Sequence, residues 1–286
     1  MTTILSTQNI VDNKLEKLAK RVQKLKERTI RPKMKVVLVG ENSASLVYVG
    51  IKEKTCKKLQ CDFELLRLPH DVTRKEFLNE VDSMNNDPSI HGCFVQLPVP
   101  EHLQDIDVTS LINPEKDVDG FGGATIVDIY KGKTPFFLPC TPMGVLELLN
   151  HNQIEALGKR VVIIGKSLIV GRPLSLLLQN MGATVTVCHS KTQNLESHTL
   201  QADIIISAVG SPKFLTKDYF NKDLNQVVID VGINRDHNGK LCGDVDFENV
   251  KNIVSAITPV PGGVGPLTVI SLMENLVKSA ERATKG

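Results

Sequence analysis

Arg160-Val-Val-Ile-Ile-Gly165-Lys-Ser-Leu-Ile-Val-Gly171-Arg-Pro173 decides the fold. Arg160–Ile164 is a short β-branched run, apolar enough for a buried strand and too short for a helix. Gly165 permits a tight turn, Gly171 allows close backbone approach, and Pro173 suits the first turn of a helix. Strand, glycine turn and helix, in that order, open a dinucleotide-binding unit. The helix start is expected to offer free N–H groups and a partial positive charge to phosphate. The loop is not GxGxxG, because Ser167 stands where the second glycine would. On this stretch alone, a plain strand-to-helix turn stays open as the alternative.

The pattern continues on both sides. Thr184–Cys188, Asp203–Ser207, Gln226–Asp230 and Asn252–Ser255 read as further strands, and Leu267–Ala280 as a closing helix. Upstream, the strands Lys35–Gly40, Phe63–Leu68 and Gly92–Gln96 alternate with helices over Ser45–Leu59 and Thr73–Asn85. Alternation of this kind implies parallel sheets covered on both faces. Pro98 to Pro142 is rich in Pro and Gly and reads as loops that lead into the next domain. The fold class is therefore α/β with two domains: an N-terminal parallel-sheet substrate domain and a C-terminal Rossmann-like domain. The boundaries are drawn at 1–138 plus 270–286 for the first and 139–269 for the second. The closing helix is expected to return to the first domain and make it discontinuous.

The second strand of the later unit selects the cofactor. A site for NAD usually carries Asp or Glu about 20 residues on, against the ribose 2′-hydroxyl. Here the strand ends in Cys188-His189-Ser190-Lys191-Thr192, with no carboxylate before Glu196. A hydroxyl and a cation there, with Lys166 from the first loop, suit a 2′-phosphate and favour NADP. Each lysine taken singly reads as an ordinary exposed residue; their joint placement carries the argument.

Composition narrows the rest. The 286 residues are 41% apolar and 23% charged, with a net charge of +2, too small to suggest nucleic acid. Lys14 to Arg31 interleaves Leu15, Leu18, Val22 and Leu25 at helical spacing, a helix with a solvated cationic face. No apolar run nears the roughly 18 residues of a membrane span, and no signal peptide is evident. Cys56, Cys61, Cys93, Cys140, Cys188 and Cys242 are dispersed and read as small buried hydrophobes, which fits a reducing cytoplasm. The seven histidines form no HxxxH or HxH pair, so no metal is proposed. Asp244 and Asp246 read as turn residues.

Ser45, Tyr48 and Lys52 fall at i, i+3 and i+7, on one helix face. Spacing alone would leave them as solvated surface residues. Other runs change that: Gln96-Leu-Pro-Val-Pro100, Asp117-Val-Asp119-Gly120-Phe121, Pro139-Cys-Thr-Pro142 and Thr258-Pro-Val-Pro-Gly-Gly-Val-Gly-Pro266. The last is too rich in glycine and proline for a regular element. Together with the lysine helix and the phosphate loop, these runs resemble the bifunctional methylenetetrahydrofolate dehydrogenase/methenyltetrahydrofolate cyclohydrolase family, from about Lys35 to Leu276.

The resemblance implies hydride transfer from 5,10-methylenetetrahydrofolate to NADP+, then hydration of the methenyl cation to 10-formyltetrahydrofolate. It implies Lys52 as the catalytic lysine and Gln96 as the glutamine that hydrogen-bonds it. Tyr48 would pack against the aminobenzoyl portion, and Asp119 would bind the pterin. Pro261, Gly262, Gly263 and Val264 would form a folate-side loop, with Ser45 a weaker carry-over. The cofactor set would be Gly165, Lys166, Ser167, Val170, Gly171, Pro173, Ser190, Lys191, Ala208, Val209, Gly210 and Ile233. A homodimer and an interdomain cleft are implied as well. The chain departs from the family at Gln60, where glycine is usual, at Gly122–Asp128, where Thr125 and Val127 replace Asn and Gly, at Lys166, where arginine is common, and at Ser43, where proline is common. Rival readings are a monofunctional dehydrogenase, a non-catalytic NADP- or folate-binding protein, and an unrelated hydroxy-acid dehydrogenase. Intact Lys52 and Gln96 argue against the first. Tyr48, Lys52, Gln96 and Asp119 together argue against the second, and the motifs of the first domain against the third.

Overall fold

The computed structural model describes residues 2–283. Met1 and residues 284–286, at the outer edges of the expected first domain, lie outside the described residues. In chain order the elements begin with β1 (Thr3–Ile4), α1 (Gln8–Glu27), β2 (Lys33–Val39), α2 (Ser43–Lys58), β3 (Asp62–Leu68), α3 (Arg74–Asn86) and β4 (Gly92–Val95). After a run of turns come α4 (Gly123–Tyr130), α5 (Cys140–His151), β5 (Arg160–Ile164), α6 (Gly171–Asn180), β6 (Thr184–Cys188), α7 (Leu195–Thr199) and β7 (Ile204–Ser207). The chain ends with β8 (Val227–Asp230), β9 (Asn234–Arg235), β10 (Leu241–Cys242), α8 (Phe247–Val250), β11 (Ala256–Ile257) and α9 (Val264–Ala283).

Two compact units emerge. One holds Asn13–Asp128, Lys133–Leu138 and Val269–Gly286. Its sheet has the order β3-β2-β4, all parallel. Val36, Val37 and Leu38 of β2 are fully buried, as a central strand of a parallel sheet requires. Phe77, Val81 and Met84 line the buried face of α3, which starts with a capping box between Thr73 and Glu76. The closing helix packs in this unit: Asn275 Nδ2 donates to Val118 O (2.8 Å) and Leu138 O (3.0 Å).

The other unit holds Met1–Asp12, Ile129–Gly132 and Pro139–Thr268. Its six-stranded sheet runs β1-β11-β8-β7-β5-β6, parallel throughout. From β5 the chain goes to β6 on one side and then crosses to β7 on the other. That reversal makes a topological switch point between β5 and β7, where ligands bind in open parallel sheets.

Several expectations shift. The N-terminal residues, assigned above to the first domain, group with the six-stranded sheet because β1 pairs with β11. A two-residue strand has too little sequence to show a period. The N-terminal helix is Gln8–Glu27, six residues earlier than expected at its start. The final strand is Ala256–Ile257, because residues 251–253 form a turn and 254–255 a bend. The Pro-Gly run is partly helical: α9 begins at Val264, and Pro266 fits because a helix's first N–H groups need no intrahelical partner. Likewise the segment Gly122–Asp128 is not a loop; most of it is the first turns of α4.

Candidate active site

Asn42 starts the lysine helix: its Oδ1 accepts from Ser45 N (3.0 Å). The buried residues of α2 are Ser45, Val49, Lys52 and Cys56, a stripe at helical spacing. A lysine in that stripe is the anomaly, since buried lysines need partners. Lys52 is only 7% exposed. Its Nζ donates to Gln96 Oε1 (3.0 Å) and lies 4.2 Å from the centroid of the Phe94 ring. Both partners come from β4 and the residue just beyond it.

Leu97 O ties the group together. It accepts from Gln96 Nε2 (2.9 Å) and from Ser45 Oγ (3.2 Å). With its amide nitrogen so engaged, Gln96 must turn its oxygen to Lys52. Ser45, Gln96 and Lys52 thus form one network, and Tyr48 stands one turn from Lys52, half-buried. Burial pushes the Tyr48 phenol above its ordinary range, so it serves as a neutral ring and hydroxyl.

Asp119 departs beside the same strand, because Asp117 forms a parallel bridge with Cys93. Asp117 is buried and accepts from Gly120 N (3.0 Å) and Gly122 N (2.6 Å), closing the turn that carries the half-buried Asp119. Burial, with the Asp119 charge adding to it, pushes the Asp117 carboxyl up to about 6 against those N–H donors. The altered family segment begins at this turn, and Thr125 is buried in α4.

The residues expected to meet a dinucleotide follow the carboxyl ends of β6, β5, β7 and β8. Ile164 is in register with Cys188 and Ser207, and Ser207 with Asp230. The residues that follow each strand (Gly165–Gly171, Ser190–Lys191, Ala208–Gly210 and Ile233) therefore share one sheet edge. Gly165 has φ +124°, and a Cβ there would stand 2.3 Å from Ala208 O. A Cβ on Gly171 would stand 1.9 Å from Gly165 O. Both glycines are required by close approach, and Val170 and Pro173 are buried behind them.

The N–H groups at the start of α6 are not all free, contrary to expectation. Ser167 Oγ accepts from Val170 N (3.1 Å) and Gly171 N (3.4 Å), and Ser167 O accepts from Arg172 N (3.0 Å). Ser167 therefore occupies N–H groups at the helix start, which leaves the helix dipole and nearby side chains as the features suited to attract a phosphate. Lys166, Ser190 and Lys191 are exposed at that edge. The tight glycine cradle and these groups fit a phosphorylated dinucleotide.

In the same unit, Pro261–Val264 is held from the N-terminus. Thr7 Oγ1 donates to Gly263 O (2.8 Å) and approaches Gly262 O (3.1 Å), while Thr7 N donates to Gly262 O (3.1 Å). A Cβ on Gly263 would stand 2.4 Å from Pro259 O. Sequence reasoning missed Thr7, Phe94 and above all Asp244, which is fully buried rather than a turn residue. A GDVD run between apolar residues is the only local sign that a carboxylate there faces inward. All six cysteines are buried free thiols. Among the described residues no His/Cys/Asp/Glu group suits a metal, and no helix is long and apolar enough to cross a membrane.

Two family models match the chain. The tetrahydrofolate dehydrogenase/cyclohydrolase catalytic domain matches residues 5–119. The NAD(P)-binding domain of the same family matches residues 139–284. The bifunctional protein FolD of Bacillus cereus is 47% identical over 283 residues, covering 99% of this chain and 98% of that protein. The crystal structure of FolD from Campylobacter jejuni superposes with a TM-score of 0.94 at 44% identity, covering 99% of each chain. The Trypanosoma brucei enzyme, complexed with NADP cofactor and inhibitor, superposes with a TM-score of 0.94 at 32% identity, covering 100% of this chain and 99% of that one.

Proposed function

Because the chain belongs to the tetrahydrofolate dehydrogenase/cyclohydrolase family, we infer that it oxidises 5,10-methylenetetrahydrofolate with NADP+ and hydrolyses the resulting methenyl cation to 10-formyltetrahydrofolate. The observation that carries this reading is the buried Lys52 hydrogen-bonded to Gln96 over the Phe94 ring.

The bound cofactor supplies a hydride acceptor. Hydride loss leaves a cation shared by two nitrogens, so that step asks for orientation more than for acid or base. Tyr48 is suited to pack against the aminobenzoyl ring, and the Asp119 carboxylate to accept from the pterin N–H groups. Lys52 acts in hydration. Its Nζ donates to Gln96 and sits over a ring face, contacts that an ammonium makes. As water adds to the bridge carbon and releases a proton to solvent, Nζ donates to the new hydroxyl oxygen. When the bond from carbon to N5 breaks, Nζ protonates N5 and regains a proton from that hydroxyl, leaving the formyl group on N10. Lys166, Ser190 and Lys191 are proposed to meet the 2′-phosphate, and Gly165, Ser167, Val170, Gly171, Pro173, Ala208, Val209, Gly210 and Ile233 to shape the rest of the cofactor site. Pro261–Val264 is proposed as the folate-side loop.

The proposal extends to a cytoplasmic homodimer formed through the six-stranded unit. β6 is an edge strand of that sheet, with backbone available for a second copy. Sedimentation at micromolar concentration should give twice the chain mass; a monomer would reject this part.

Lys52→Met tests the core of the reading. Cyclohydrolase activity should fall by at least about 100-fold, the usual scale of general acid–base catalysis. NADP+ binding should match the parent. Retained hydrolysis, or lost cofactor binding, would show that Lys52 has been given the wrong role.

A further inference from the structure

We propose that Asp244 is the positioning residue of the NADP side: one buried carboxylate that fixes both the loop after β7 and the turn after β8. The proposal rests on the cofactor site described above. The family resemblance assigned no role to this residue.

Asp244 is 0% exposed. Its Oδ2 accepts from Ser207 Oγ (3.0 Å) and Val209 N (2.7 Å). Its Oδ1 accepts from Gly210 N (3.0 Å), Ser211 N (2.9 Å) and Asn234 Nδ2 (2.9 Å). Five donors from two separate segments, the end of β7 with the loop after it and the start of β9, converge on one side chain. Three are successive backbone N–H groups, so the carboxylate dictates the path of Val209–Ser211. The approach of the second loop is equally tight. A Cβ on Gly232 would stand 2.2 Å from Asp244 Oδ1, so only glycine lets that turn pass.

The residues so held point to a ligand. Val209 and Ile233 are each 41% exposed, two apolar side chains kept in solvent by a rigid backbone. They follow neighbouring strands at the switch-point edge, where a flat, partly apolar ring of a dinucleotide would lie. Asp244 is itself braced from below: Asp230 Oδ1 accepts from Asp244 N (3.0 Å) and Gly232 N (2.9 Å), and Asp230 Oδ2 from Val245 N (2.8 Å). Carboxyl oxygens that accept from several N–H donors at once are shape-specific braces, because the whole network must move together. Asparagine keeps the size but aims an N–H₂ group at N–H donors on one side or the other.

The test uses the full chain as Asp244→Asn and, as a milder variant, Asn234→Ala, which removes one donor. NADP+ affinity, the NADP+ KM, the dehydrogenase kcat and cofactor-free cyclohydrolase activity are measured on each. For Asp244→Asn, Kd and KM for NADP+ should rise by about tenfold or more, with kcat at saturation largely kept and cyclohydrolase within about twofold of the parent. Asn234→Ala should show the same split, more weakly. If Asp244→Asn fails to fold, the Asn234→Ala result decides. Unchanged NADP+ affinity in the folded variant, or equal loss of both activities in Asn234→Ala, overturns the assignment. A Lys166→Ala/Lys191→Ala variant separates two kinds of failure. If it loses NADP+ affinity while Asp244→Asn does not, only the role of Asp244 falls. If it too binds as the parent does, the cofactor site has been misplaced.

Discussion

Gln96 can sit only one way. Its Nε2 donates to Leu97 O, so Oε1 is the atom left for Lys52. Gln96→Ala would leave a buried Nζ with the Phe94 ring and without its hydrogen-bond acceptor, a loss that buried charged donors feel strongly. Cyclohydrolase kcat should fall by about tenfold or more and its pH profile should move; an unchanged profile would mean that Gln96 does not govern Lys52. Asp117 offers a second test on a single residue. Its folded pKa, pushed to about 6, lies above the unfolded value, so its contribution to stability is full at acid pH and is lost as pH rises through about 6. Asp117→Asn removes that titration. Relative to the parent, the variant should therefore gain stability as pH is raised across this window, as read by urea unfolding; parallel pH curves would contradict the assignment. Lys52, Gln96 and Asp119 were legible only through the resemblance. The spacing of Ser45, Tyr48 and Lys52 reads equally well as a solvated face, and only the buried stripe of α2 shows Lys52 turned inward.

The end of α2 carries a strained position. Gln60 has φ +59°, a left-handed conformation that costs a side-chain residue about 1 kcal/mol. The departure from the family's glycine thus has a physical cost, offset in part by Lys26, which donates to the Gln60 side chain. Gln60→Gly should stabilise the chain by up to about 1 kcal/mol in thermal unfolding, whereas Gln60→Ala should not. In α3, Phe77 is fully buried, and Phe77→Ala should cost about 3–5 kcal/mol of unfolding free energy. The strands β2 to β8 were legible because short apolar runs rich in Val, Ile and Leu define them, whereas the two-residue strands β1, β9, β10 and β11 carry too little sequence to show a pattern. Helix starts at Val264 and Gly171 were less so, since proline in a first turn looks like a helix breaker until the turn is located. The pairing of β1 with β11 and the hold of Thr7 on Gly262 and Gly263 join residues more than 250 positions apart, and no local pattern records them.

At the scale of the molecule, the proposed chemistry divides between two α/β units. One carries Lys52, Gln96, Tyr48 and Asp119; the other carries the parallel sheet edge with Gly165, Gly171, Lys166 and Lys191. Asp244 looks like a turn residue in the sequence because its five donors are distributed from Ser207 to Asn234 and converge only in the fold. Variants of the first group should change hydrolysis and folate affinity while leaving NADP+ binding intact, and variants of the second group the reverse. One reaction tests the account most directly. The purified chain is given 5,10-methylenetetrahydrofolate and NADP+, and the reduced cofactor and the methenyl chromophore are followed together. NADPH should form, and methenyl should disappear faster than it does in buffer. Absence of NADPH, or methenyl decay at the buffer rate, would contradict the account.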